Sequence, residues 1–242
     1  MNLALDVGKL TELRRTLHRM PELSGAEVNT AAYIVGVLEG YKPGRILTGL
    51  GGHGVAAVFD SGIEGPTVLF RAELDGLPIA ELPGVAWRSE IEGRGHLCGH
   101  DGHLAILCGL GARMAVEPPL RGRVVLMFQP AEETGAGAAA VIADPAFAAI
   151  VPDYAFALHN LPGFPLGHVG VRAGAFNFAS EGLAIRLTGK TAHASQPEAG
   201  RSPAATMCAL VTALPELPEK LGIAPQDALV CWAASCSRLC RV

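Results

Sequence analysis

The 242-residue chain has little charge of either sign, few aromatic side chains and no long apolar run. Charged residues make up 17% and aromatics 5%; Lys and Arg total 19 against 23 Asp and Glu, a formal net charge of −4. With no basic stripe to balance phosphate charge, neither a nucleic-acid partner nor an anionic membrane surface is expected. The most apolar stretch, Gly135 to Leu158, is mostly alanine and is broken by Asp144-Pro145 and Pro152-Asp153, so no window reads as a membrane span. Met1 to Asp6 lacks a basic segment leading into an apolar one, and no signal peptide is expected. Cys98, Cys108 and Cys208 are scattered, while Cys231, Cys236 and Cys240 crowd the last twelve residues. Without a secretion signal these read as thiols of a cytoplasmic protein rather than a disulfide framework.

What is present is apolar bulk. Half of the residues are hydrophobic, so disorder is excluded and a sizeable core is expected, in one large domain or two smaller ones. Leu10, Leu13, Leu17 and Met20 recur at helical spacing up to Pro21, and a second helix is expected from Val28 to Glu39, ending at Gly40. Gly54–Phe59, Thr67–Phe70, Arg123–Phe128 and Tyr154–Leu158 are short apolar runs bounded by Gly, Pro or Asp, as buried strands are. His103–Val116 carries a broad apolar face between two of them. The alternation of strand and helix implies an α/β fold, with a mostly parallel core sheet and helices on both faces. Beyond about Ala173 the pattern changes. Leu183–Leu187 alternates like a strand with one solvated face, and Ser202-Pro203 opens a helix through Leu210, with serine as N-cap. The expected division is a catalytic segment over residues 1–175, a smaller segment over 176–230, and an atypical tail over 231–242.

The densest polar cluster is His96-Leu97-Cys98-Gly99-His100-Asp101-Gly102-His103. Cys98 and His100, two apart around a glycine, suit one metal ion. A polar loop capping the following helix and a Cys98–His100 thiolate pair acting as a nucleophile are the alternatives. Asp75 follows the strand beginning at Thr67, Glu132 and Glu133 follow Arg123–Phe128, and His159 closes Tyr154–Leu158. Each has a bland reading alone, as a turn residue, a solvated loop or a strand-end histidine. Jointly they place ligand-type residues at the carboxyl ends of three strands, where open α/β sheets bind ligands. Adjacent glutamates allow one carboxylate to hold a metal while its neighbour acts as general base. Mixed Cys, His and carboxylate donors favour zinc, manganese or cobalt over magnesium or calcium. The glycine run Gly49-Leu50-Gly51-Gly52-His53-Gly54 precedes a strand instead of following one, which argues against a nucleotide-binding loop.

Five co-linear segments carry a resemblance. They are Arg71-Ala72-Glu73-Leu74-Asp75-Gly76-Leu77-Pro78, His96–His103, Gln129-Pro130-Ala131-Glu132-Glu133, His159-Asn160 and Gly189-Lys190-Thr191-Ala192-His193-Ala194-Ser195. Together with Leu17–Ser24 they resemble the aminoacylase/carboxypeptidase metallopeptidase family over residues 10 to 228. The resemblance is to its amidohydrolase branch, which includes hippurate hydrolases, N-acetyl-diaminopimelate deacetylases and auxin-conjugate amino-acid hydrolases. It implies hydrolysis of the amide bond of N-acyl amino acids or similar small amides, with two divalent metal ions, Mn or Zn (Co also fitting), at the active site. Cys98 would bridge the metals, with His100, Glu133 and His159 as further ligands. Glu132 would be the general base, and Asp75 a carboxylate orienting the cluster. His193 would reach the site from an inserted ferredoxin-like lid, often that of a dimer partner, to stabilise the oxyanion. Where many relatives outside this branch have a histidine ligand, this chain has Glu73, so no ligand is carried over there.

The resemblance also implies a discontinuous catalytic domain, and on that reading the chain stops inside the lid, before the family's last histidine ligand. Residues 231–242 read as a frameshifted tail. Two readings compete with the amidohydrolase on these grounds: an inactive truncated fragment that binds one metal at most, and a cysteine hydrolase using Cys98.

Overall fold

A computed structural model of the chain describes residues 6–174, 182–224, 228 and 230. The first helix, α1 (Val7–Arg19), begins where the Asp6 carboxylate accepts the Lys9 N–H at 3.1 Å, and it turns Leu13 and Leu17 inward. The second, α2 (Val28–Glu39), is capped across the turn before it. Glu22 Oε2 accepts both the Thr30 N–H (2.7 Å) and the Thr30 hydroxyl (2.9 Å), satisfying a donor that the helix itself cannot. Its inner face presents Ala31, Ile34 and Leu38.

Among the described residues five strands follow: β1 (Arg45–Leu50), β2 (Gly54–Asp60), β3 (Thr67–Glu73), β4 (Arg123–Gln129) and β5 (Tyr154–Ala157), in the spatial order β1-β2-β4-β3-β5. Helix α3 (His100–Val116) lies between β3 and β4, and α4 (Gly137–Ala143) between β4 and β5. The α/β class and the helices on both faces are as expected, but the sheet is mixed. β3 runs parallel to β4 and to β5, whereas β1/β2 and β2/β4 are antiparallel. The reason is the connection. Only three residues separate β1 from β2, so they form a hairpin, while parallel neighbours need a crossover such as α3. Alternate residues of β2 divide the core: Val55, Ala57 and Phe59 pack with α1, α2 and α3, and Ala56 and Val58 pack with Val141, Phe147 and Ile150 on the opposite face.

The chain divides into two compact units, Met1–Phe164 and Pro165–Val242. The described part of the second holds α5 (Ala204–Ala213), whose N-cap is Pro203 and not Ser202; the Ser202 hydroxyl still accepts the Ala204 N–H at 3.3 Å. Leu183–Leu187, expected as a strand, is not one: alternation marks a face, but a strand forms only with a neighbour, and it pairs with none among the described residues. The expected boundary at 175–176 and the tail 231–242 lie outside the described residues. No helix among the described residues is long and apolar enough to cross a membrane.

Candidate metal centre

Because β3 is parallel to both β4 and β5, the chain leaves all three strands at one edge of the sheet. Glu73 is level with Gln129, so Asp75 and the Glu132-Glu133 pair emerge side by side. Ala157 pairs with Arg71, so two residues on, His159 comes level with Glu73. His100 opens α3 and Cys98 lies in the turn just before it, on the other side of the Gly99 N-cap. Gly99 makes that entry feasible: its φ is +95°, and a Cβ there would lie 2.4–2.8 Å from the Asn160 side chain.

The structure thus brings Cys98, His100, Glu132, Glu133 and His159 together. Donor atoms of Cys98, His100 and His159 lie within 4.8 Å of one another, as do those of His100, Glu132 and Glu133. The Cys98 Sγ is 3.4 Å from His159 Nε2; His100 Nε2 is 3.6 Å from Glu132 and 3.7 Å from Glu133. Both imidazoles are oriented by carbonyls, which only accept. His100 Nδ1 donates to the Asp75 main chain (2.8 Å) and His159 Nδ1 to that of Asn160 (2.7 Å), so each Nε2 faces the cluster. Asp75 is fully buried, and its Oδ2 accepts the Ser24 hydroxyl (2.6 Å) and the Glu133 N–H (3.0 Å). His193 lies in the second unit, exposed, its Nδ1 accepting the Ser195 N–H (3.2 Å) within a turn.

The donor set fits a cation. The buried His100 Nε2 and Glu133 Oε1 have no hydrogen-bond partner among the described residues, a costly arrangement unless something else binds there. The directions in which the pKa values shift follow from the same excess of negative charge. Burial raises the Cys98 thiol, and the Glu133 carboxylate raises it further, to about 12. Burial also raises Glu133, with repulsion from Glu132 and Asp75 adding to it. Burial opposes ionisation of both Asp75 and His100, but their mutual hydrogen bonds win. Helped by Ser24 and backbone N–H groups, Asp75 is lowered to about 2; helped by the Glu73 charge, His100 is raised to about 9. A divalent cation reverses this logic for a thiol and an imidazole.

A third group, Glu73, His100 and His103, also gathers donor atoms within 4.8 Å. It suits a cation less well, because both His103 nitrogens are taken: Nδ1 by Glu73 (2.8 Å) and Nε2 by Asn160 (2.9 Å). The sequence pointed to no role for Glu73, His103, Asn160 or Ser24. The one available signal was their position inside the recurrent segments.

The model of peptidase family M20/M25/M40 matches residues 69–238. The chain belongs to that family. It is 37% identical over 219 residues to N-acetyl-L-cysteine deacetylase of Bacillus subtilis, covering 88% of this chain and 51% of the relative. It is 32% identical over 224 residues to N-acetyldiaminopimelate deacetylase of Geobacillus thermodenitrificans, covering 93% and 59%. Among solved structures it resembles a dinuclear metal binding M20 peptidase from Bacillus subtilis (TM-score 0.63, 35% identity, 68% of this chain and 46% of the other). It also resembles the aminobenzoyl-glutamate utilization protein from Klebsiella pneumoniae (TM-score 0.52, 28% identity, 65% and 45%). This M20 chain therefore spans about half to three fifths of the length of these curated relatives.

Proposed function

We propose that this M20 chain encodes the catalytic part of a metal-dependent amidohydrolase that releases an amino acid from an N-acyl amino acid. The observation that carries the reading is the gathering of five donor residues that include His100, whose Nε2 has no hydrogen-bond partner among the described residues. Cys98, His100, Glu133 and His159 would hold two divalent cations, Mn or Zn with Co as a substitute. Such ions polarise a scissile carbonyl and bring the pKa of water to about 7. Glu132 is the more open of the glutamates, its side chain 37% exposed against 18% for Glu133, and it is the one free to work as a base. It takes a proton from the attacking water and delivers it to the departing amine nitrogen. Asp75, locked by Ser24 and the Glu133 N–H, fixes His100 through its main chain. His193 would stabilise the oxyanion, and the chain would pair with a second copy of itself as a homodimer. A cytoplasmic setting suits a site built on a free Cys98 thiol.

The test is Glu132→Gln in the chain loaded with Mn²⁺ or Zn²⁺. Bound metal per chain should be unchanged, while release of amino acid from an N-acetyl amino acid falls by roughly 10²–10⁴-fold. A variant that keeps its rate, or a wild-type chain that retains no metal, overturns the reading.

A further inference from the structure

His159 is the donor with the weakest scaffold. It leaves β5, a four-residue edge strand that is exposed throughout, and residues 158–164 after it are exposed as well. Burial in the core does not hold it, yet its Nε2 sits 3.4 Å from Cys98 Sγ. What does contact this segment is His103, fully buried one helical turn beyond His100. Its ring meets that of His159 edge-on, with centroids 4.6 Å apart. His103 Nε2 lies 3.1 Å from the Asn160 N–H and 2.9 Å from Asn160 Oδ1, so Asn160 engages the imidazole whether that nitrogen accepts or donates. On the far side His103 Nδ1 is 2.8 Å from Glu73 Oε2. The other Glu73 oxygen is paired with Arg71 at 2.6 Å, and Arg71 Nε donates to Gln129 at 2.8 Å. A continuous polar chain therefore runs from β4 through β3 and α3 to the residue whose carbonyl orients His159.

We propose that His103, anchored by Glu73 and Arg71, is a positioning residue that clamps Asn160 and thereby holds His159 against Cys98 for metal binding. The inference rests on the metal reading above and names the element that completes the site. It also accounts for a carboxylate at position 73: that carboxylate anchors the clamp instead of ligating.

Two amide substitutions separate positioning from simple packing. Gln at position 103 places its amide where Nε2 lies and reaches Asn160; Asn places it where Nδ1 lies and reaches only Glu73. Binding of Co²⁺ to the full chain, followed through the thiolate-to-cobalt charge-transfer band of Cys98, should weaken by about 10–100-fold in His103→Asn. His103→Gln should bind as the wild type does, with both variants folded by circular dichroism. Asn160→Ala, at an exposed position, removes Oδ1 without touching the core and should weaken binding in the same direction, so it decides the matter if His103→Asn does not fold. Wild-type affinity and spectrum in folded His103→Asn, or in Asn160→Ala, overturn the clamp alone. No Co²⁺ binding by the wild-type chain removes the metal reading and the clamp with it.

Discussion

His18 and Asp101 are 83 residues apart in sequence and 2.8 Å apart in the fold, next to the first donor of α3. Asp101 also takes an ion pair from Arg14 at 2.6 Å, and His18 Nε2 meets Glu81 at 2.9 Å. Arg14 approaches the His18 ring at 3.4 Å, and the His96 ring lies 6.5 Å away. The Asp101 hydrogen bond raises the His18 pKa, burial opposes it, and the Glu81 bond adds to it. A raised folded-state pKa means that protonation favours the folded form. That contribution is complete below the unfolded value of about 6.5 and disappears as pH rises through the higher folded value. His18→Gln should therefore lower stability most at about pH 5.5, and the gap to wild type should narrow with rising pH, as followed by urea unfolding of the metal-free chain. A gap that is flat or widens with pH would show that His18 is buried neutral. None of this is legible in a single sequence: the carboxylate partners of His18, like the partners of His103, come from segments tens of residues away and leave no local pattern.

Elements were legible where the local pattern and the tertiary context agree. The α2 helix runs from Val28 to Glu39 as its periodicity indicates, and β2, β3 and β4 begin where the apolar runs begin. β1 escaped notice because Arg45-Ile46-Leu47-Thr48-Gly49-Leu50 is half polar and interrupted by glycine; pairing with β2 makes it a strand. Its turn uses Gly51, at φ +60°, where a Cβ would come within 2.6 Å of the Val141 nitrogen. The strands also differ in energetic weight. Phe128 on central β4 is fully buried, whereas Phe156 on edge strand β5 is 53% exposed and stacks on Phe70 at 5.4 Å. Phe128→Ala should cost about 3–5 kcal/mol. Phe156→Ala should cost only about 0.5–1.5 kcal/mol, the scale of one aromatic pair. Denaturant midpoints at constant slope would measure both, and equal costs would contradict the placement of β5 at the sheet edge.

Across the whole molecule, the candidate site was legible in outline because topology did the assembling. Three strands that share a direction carry their following residues to one edge, so Asp75, Glu132, Glu133 and His159 could be grouped without coordinates. What the sequence could not supply was the wiring behind them, Ser24 on Asp75 and His103 on Asn160. The same assembly separates the metal reading from catalysis by Cys98 as a nucleophile, because the two give the thiol opposite fates. Among the described cysteines, Cys98 is half-buried in the cluster, Cys108 is buried in the core and Cys208 is exposed in the second unit. A thiol engaged by cations cannot attack an alkylating agent, since its lone pairs are in use. Peptide mapping after iodoacetamide treatment should show Cys208 labelled with or without Mn²⁺ and Cys108 labelled in neither case. Cys98 should be labelled only after chelation, and then slowly and faster with rising pH, because its metal-free thiol is raised to about 12. Labelling of Cys98 at the same rate in the metal-loaded chain, with loss of amide hydrolysis in step, would make the thiol the nucleophile and the surrounding carboxylates bystanders.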